Sequence, residues 1–259
     1  MCKVISTVSW KGGVGKTTSV VNISSYLHLK GKKVCVIDLD PQCSLTKHLG
    51  INTKNILTIY DLFEAEIKEL ETEHINQLIK KAIVKSSTVD VIAATPKLSA
   101  LDMVLPTVTC RELILKRIIS LIKDKYNYIF IDCHPGSDLL AINALAASDS
   151  VLFPVEAHIL SADGLEQVEK MIRSVQRHLN PDLKIEGIII TKFQARTKCC
   201  RNTSELIKQN FGDRIHIFED YIKYNVDVAD APSYGLSIHE FSPKSKAALA
   251  YAKIASEVM

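Results

Sequence analysis

The stretch Ser9-Trp10-Lys11-Gly12-Gly13-Val14-Gly15-Lys16-Thr17-Thr18 (SWKGGVGKTT) decides the fold. It follows a short strand pattern, Lys3–Val8 (KVISTV), and precedes a helical pattern, Thr17–Leu29, that Gly31 stops. A strand, a glycine-rich loop and a helix in that order form the setting of a phosphate-binding loop. Three glycines within four residues let backbone N–H groups converge on anionic oxygens with no Cβ in the way. The helix that begins near Lys16 points its positive end at the same place. Lys16 is expected to reach the β- and γ-phosphates of a nucleotide, and the Thr17 hydroxyl to ligate Mg²⁺ otherwise held by phosphate oxygens and water. The general pattern G-x-x-x-x-G-K-[ST] wants a glycine where Trp10 stands, and a second lysine, Lys11, follows it. A dinucleotide-binding loop is the main rival. It would need glycine at the position of Thr18, and it gives Gly-Lys-Thr-Thr no purpose, although Asp38 stands about where its ribose-binding acid would be.

Working outward, Lys33–Asp38 (KVCVID), Val89–Ala93, Tyr126–Asp132 (YNYIFID), Ser150–Val155 (SVLFPV) and Lys184–Thr191 (KIEGIIIT) read as further strands. Helical intervals fall at Ile59–Glu64, His74–Lys85, Thr109–Lys123, Leu139–Ala147, Ser161–Leu179 and Thr203–Phe211. A last helix is expected over Pro243–Val258, with Ser242 as N-cap and Pro243 at its first position. Short apolar runs alternating with longer helical patterns predict βα units and a parallel sheet. Neither a repeat nor a Pro/Gly-rich linker interrupts residues 1–259, so one α/β domain is expected. Ile51–Glu73 has the weakest periodicity and reads as a helical insertion near the site.

The 259 residues carry a net charge of +3, which excludes a strongly basic nucleic-acid protein but not a local basic face. The seven cysteines include no C-x-x-C pair, so neither a zinc ribbon nor a thioredoxin-like motif is encoded. Their plain reading is free thiols in a reducing cytoplasm. No run is long and apolar enough to cross a bilayer, and the N-terminus lacks a signal-peptide layout.

KGGVGKTT closely resembles the deviant Walker A loop of the ParA/MinD ATPases. Val36-Ile37-Asp38-Leu39-Asp40-Pro41-Gln42, Tyr128-Ile129-Phe130-Ile131-Asp132-Cys133, Asn143-Ala144-Leu145, Pro154-Val155-Glu156, Asn225-Val226 and Ala231-Pro232-Ser233-Tyr234-Gly235 narrow the resemblance to the ParA/Soj partition branch. The resemblance implies a single-domain α/β, three-layer P-loop NTPase fold with a mostly parallel twisted sheet flanked by helices, ATP and Mg²⁺ as cofactors, and weak intrinsic ATP hydrolysis. It implies a nucleotide-binding loop of Lys11, Gly12, Gly13, Val14, Gly15, Lys16, Thr17 and Thr18. Lys11 would cross to the phosphates of the other subunit in an ATP-sandwich homodimer, doing electrostatically what an arginine finger does. Asp40 would position the attacking water. Thr17 would ligate the metal, with Asp38 and Asp132 supporting it through water. Strand-end aspartates also cap following helices, which is the structural alternative for each.

In the family, the ATP-bound dimer binds double-stranded DNA without reading sequence, and a ParB-like centromere-binding protein stimulates hydrolysis. Lys198, Arg201, Lys208 and Lys223 are the DNA candidates here. Soj-like chains read P-R-N-V-R where this one has Lys223-Tyr224-Asn225-Val226-Asp227, so both arginines are missing. His134 and Trp10 are further departures, from a proline and a glutamine. The ending Ala250–Met259 lacks the basic amphipathic tail of a MinD-like membrane binder. The cluster cysteines of an iron–sulfur reductase are absent. The expectation is a cytoplasmic, nucleoid-associated partition ATPase without an N-terminal helix-turn-helix extension. An ATP-gated switch that positions non-DNA cargo is the alternative.

Overall fold

The computed structural model describes residues 2–157 and 161–259. From the N-terminus, β1 (Lys3–Thr7) leads through the glycine loop to α1 (Lys16–Leu29), β2 (Val34–Leu39) and α2 (Ser44–His48). Then come α3 (Ile59–Ile67), α4 (Thr72–Ala82), the short strands β3 (Ile83–Lys85) and β4 (Asp90–Ile92), α5 (Leu101–Val104) and α6 (Ile114–Ser120). The chain continues with β5 (Tyr128–Cys133), α7 (Leu139–Ala147), β6 (Ser150–Glu156), α8 (Ser161–His178), β7 (Lys184–Thr191) and α9 (Lys198–Phe211). It closes with α10 (Val226–Asp230), α11 (Ile238–Phe241) and α12 (Lys246–Val258).

The seven strands form one sheet in the order β3-β4-β2-β5-β1-β6-β7. Every pairing is parallel except β3 with β4. The central strands are apolar at nearly every position because both faces are covered. On β2, Cys35, Ile37 and Leu39 pack into one core, while Val34 and Val36 pack into the other. On β5, Ile129 and Ile131 face the first core, and Tyr128 and Phe130 the second. The first core is closed mainly by residues of α3 to α9, the second by α1 and α12, whose Ile23, Leu27, Tyr251 and Ile254 are buried. This is the three-layer α/β architecture that the family resemblance implies, built on the βα units that the strand–helix alternation predicts.

β1 lies between β5 and β6, and the chain leaves it to build one wing before returning to build the other. The strand order therefore reverses at β1, and the crevice beyond its C-terminal end is where open parallel sheets bind ligands. The register places Thr7, Asp132 and Asp38 side by side across β1, β5 and β2. Side chains in register on adjacent parallel strands share a face. The two carboxylates therefore stand together at the crevice.

Several boundaries differ from the sequence expectation. The last helix begins at Lys246, not at Pro243. Ser245 donates its N–H to Ser242 C=O in a turn, and its Oγ accepts from Ala248 N as the true N-cap. The helix expected over His74–Lys85 stops at Ala82, and β-branched Ile83 and Val84 pair antiparallel with β4 at the sheet edge. The interval Thr109–Lys123 retains only α6 as α-helix, with 3₁₀ turns at Arg111–Leu113 and Lys123–Lys125. α9 starts at Lys198, five residues before the expected Thr203. α3 fills the weakly periodic segment behind a capping box of Thr58 and Asp61. Gly31, at φ +77°, donates to His28 C=O while Lys32 N reaches back to Leu27 C=O, which ends α1 as expected. Among the described residues no helix is long and apolar enough to cross a membrane.

Candidate nucleotide-binding site

The loop between β1 and α1 turns on two glycines. Gly13 and Gly15 sit at φ +75° and +88°, in the left-handed region where a Cβ is strained. Thr191, at the end of β7, donates its hydroxyl to Val14 C=O at 2.8 Å and braces the loop from the neighbouring strand. Gly136 N donates to Ser9 C=O at 3.2 Å, tying the loop to the segment after β5.

Lys16 is buried, and its ammonium donates to Ser9 Oγ at 3.0 Å. Ser9 Oγ in turn donates to Lys11 C=O at 2.7 Å. Burial lowers the Lys16 pKa, while the carboxylate of Asp132 nearby opposes that shift. The helix N-terminus and the buried cation make this a site that gains most from an anionic occupant.

Thr17 Oγ1 donates to Asp132 Oδ2 at 2.6 Å. Asp132 Oδ1 is buried without a hydrogen-bond partner. Burial, reinforced by the charge of Asp38, pushes the Asp132 carboxyl up to about 8. An orphaned carboxylate oxygen beside a hydroxyl at a phosphate loop fits a hydrated Mg²⁺, which takes one or two protein groups and draws its other ligands from phosphate and water.

Asp38 is placed differently. Its Oδ2 accepts from both the N–H and the Oγ1 of Thr46, at 2.8 and 2.7 Å, and its Oδ1 accepts from Asp40 N at 3.1 Å. Thr46 Oγ1 also accepts from Ala94 N at 2.9 Å. Asp38 thus holds the first turn of α2 and the Asp40 loop together, the capping role that strand-end aspartates commonly take. Burial raises its pKa to about 6 against these three donors.

Asp40 lies one residue beyond β2, so the strand does not carry its side chain into line with that of Asp38. Its Oδ1 accepts from Gln42 N at 2.8 Å. It lines a cavity of about 540 Å³ together with Gly12, Gly13, Gly15, Lys16, Thr17 and Thr18. The far wall of this cavity is made by Lys192, Ile222, Lys223, Tyr224, Asn225, Val228, Ala229 and Tyr251. None of the residues of Ile51–Glu73 lines it. Lys11 is exposed, and its ammonium makes no ion pair among the described residues.

The structure divides the four DNA candidates. Lys198, Arg201 and Lys208 are exposed on α9 and fall on one helical face, which Glu205 shares. Lys208 Nζ sits 5.3 Å from the centroid of the Tyr221 ring. Lys223 instead lines the nucleotide cavity. The wall from Lys192 to Tyr224 and the Asp38–Thr46 brace went unnoticed in the sequence. The only available cue for the first was the apolar content around Ile222 and Val228.

His134 Nδ1 lies 3.0 Å from Asp138 Oδ2, and Asp138 Oδ1 accepts from Ala141 N at 2.8 Å as the N-cap of α7. The hydrogen bond to Asp138 raises the His134 pKa, against the effect of burial.

A family described as an AAA domain matches residues 2–185. The sporulation initiation inhibitor protein Soj of Bacillus subtilis is 39% identical over 262 residues, covering 100% of this chain and 98% of that one. The chromosome-partitioning ATPase Soj of Treponema pallidum is 36% identical, with 100% and 98% covered. Among solved structures, a Mycobacterium smegmatis protein described as cobyrinic acid a,c-diamide synthase, with bound ADP and magnesium, superposes at TM-score 0.80 and 27% identity. That match covers 99% of this chain and 93% of the other. An ATP complex of a Cyanothece McdA variant reaches TM-score 0.86 over 99% and 96% of the two chains, and at 20% identity shows the shared fold alone. The phosphate loop, the strand reversal beside it and the full-length similarity lead to one conclusion: the chain belongs to the ParA/Soj branch of the ParA/MinD family of P-loop ATPases.

Proposed function

We propose that the chain is a Mg²⁺-dependent ATPase of DNA partition, acting as a single domain over residues 1–259. The observation that carries this reading is the convergence of the Gly13–Gly15 loop, buried Lys16 and the Thr17–Asp132 pair on the cavity that Asp40 also lines. Backbone N–H groups of the loop and Lys16 hold the phosphates and offset charge that builds on the γ-phosphoryl oxygens during transfer. Thr17 and Asp132 would hold Mg²⁺, which would supply positive charge against the negative charge of the phosphates. Asp40 orients the attacking water. Asp38 acts at one remove, fixing the loop that carries Asp40.

Exposed Lys11 acts in trans, reaching the phosphates of a second copy in an ATP-closed homodimer. A single-subunit preparation would then turn over weakly, and a ParB-like partner would stimulate it. The dimer would hold duplex DNA through phosphate contacts from Lys198, Arg201 and Lys208, with Lys223 contributing less because it lines the nucleotide cavity. A cytoplasmic, nucleoid-associated location follows from that binding. The apolar residues Tyr251, Ile254, Ala255 and Val258 of α12 are buried in the second core and are not free to meet a lipid surface.

A second reading, an ATP-gated switch for non-DNA cargo, is favoured by Tyr224 and Asp227, which stand where Soj-like chains carry arginines. Retention of arbitrary duplex DNA by the ATP-loaded protein separates the two. Retention that needs ATP and falls as salt rises supports partition on DNA. No retention even at low salt supports the cargo switch. Lys16→Ala should abolish ATP binding, and undiminished affinity would remove the phosphate-loop assignment.

A further inference from the structure

We propose that Tyr224 is the base-stacking residue of this nucleotide site, an inference that rests on the ATP-binding reading above. The cavity has two chemically distinct ends. One is built from glycine N–H groups, Lys16, Thr17 and Asp40 and suits phosphates. The other is lined by Ile222, Tyr224, Val228 and Ala229 and suits a flat, weakly polar ring. A ligand that fills both is a phosphorylated nucleoside.

Tyr224 combines a fixed backbone with an uncovered ring. Its N–H donates to Phe193 C=O at 3.2 Å, and Phe193 N–H donates to Ile222 C=O at 2.9 Å. This bridge extends the pairing at the end of β7 and fixes the backbone at Tyr224. On its other side, Asn225 caps α10, accepting from Asp227 N at 2.7 Å through its Oδ1. Tyr224 is nonetheless 61% exposed while lining the cavity. A large aromatic ring on a rigid mount, open to solvent at the rim of a ligand cavity, gains its cover from the ligand.

Asn225 adds direction. With its carbonyl oxygen used in the cap, its amide NH₂ makes no hydrogen bond among the described residues and can donate to a ring nitrogen of the base. Lys223 and Lys192 line the same stretch of wall, and Lys192 Nζ lies 3.6 Å from Glu156 Oε2. Tyr224 is therefore a binding residue for the base rather than a substitute for the DNA-contacting arginine whose position it occupies.

The test compares two probes, Mg-ATP and inorganic tripolyphosphate with Mg²⁺, by isothermal titration calorimetry on the full chain. Tyr224→Ala should weaken ATP roughly ten-fold, the effect of removing one base–aromatic stack, and leave tripolyphosphate unchanged. Tyr224→Phe should keep ATP affinity within about two-fold, since the ring rather than the hydroxyl does the stacking. If Tyr224→Ala binds ATP as wild type does, or weakens both probes equally, the inference fails while the phosphate loop stands. Wild-type protein that binds neither probe would sink the nucleotide reading and this inference with it. NMR on the wild-type complex gives a readout that needs no destabilised variant. Nuclear Overhauser contacts between the adenine protons and the residue 224 ring, assigned with Tyr224→Phe, support the stack, and their absence from a saturated complex overturns it.

Discussion

Replacing Asp132 by asparagine should change how stability depends on pH, not merely its level. The carboxyl is buried against Asp38, and its pKa rises from 3.8 to about 8. A carboxyl raised in the folded state contributes stability that is present in full below its unfolded pKa and lost as pH rises through the folded one. The unfolded chain releases this proton near pH 4, whereas the folded chain keeps it to about pH 8. Between those limits each pH unit costs the nucleotide-free wild type about 1.4 kcal/mol, and by pH 7 the loss is about 4 kcal/mol. Asparagine cannot titrate, so the Asp132→Asn protein lacks this slope. Urea denaturation without Mg²⁺ or nucleotide, at pH 5.5, 6.5 and 7.5, reads the difference directly. The stability of the variant relative to wild type should rise by about 3 kcal/mol across that range. The asparagine carbonyl can still accept from Thr17, and any weakening of that hydrogen bond adds a constant offset that leaves the slope alone. Parallel profiles for the two proteins would refute the argument and show that the carboxyl is already ionised at neutral pH.

Thr46→Val keeps the side chain's shape but removes a donor to Asp38 and leaves the buried Ala94 N–H unpaired. It should cost about 3 kcal/mol by chemical denaturation. Asp40→Ala should bind ATP with near wild-type affinity by calorimetry yet fail to release phosphate; unchanged turnover would remove Asp40 from the water-orienting role. Asp227→Arg should strengthen ATP-dependent retention of duplex DNA and steepen the log–log salt slope by about one. An unaltered slope would exclude that surface from the DNA contact.

The phosphate loop was legible because its chemistry is local. Glycine spacing, Lys16 and Thr17 lie within one short stretch, and the structure places them together on one cavity. α7 and β7 were legible to the residue, since Leu139–Ala147 and Lys184–Thr191 are apolar runs with clear ends. What remained hidden depends on register and on distant partners. Nothing in Val36–Asp40 or in Tyr128–Cys133 reveals that Asp38 and Asp132 lie side by side, yet that pairing raises the Asp132 pKa. Pro243 is a good first residue for a helix, but the turn closed by Ser245 on Ser242 took it instead. Lys223 reads as a basic surface residue, but the bridge to Phe193 places it in the wall of the nucleotide cavity. β3 was missed because three residues are too few for a period to show.

Trp10 is the chain's single tryptophan, and it stands 42% exposed beside Lys11, packed so near Gly164 of α8 that a side chain there would crowd it. Its emission therefore originates from one spot, the lip of the phosphate loop. Colour and intensity of indole fluorescence follow the wetness of the surroundings, so a nucleotide entering or another surface closing over the lip would register as a spectral shift. The molecule thus carries its own optical probe for stopped-flow work, with no dye to attach and no competing emitter of the same kind.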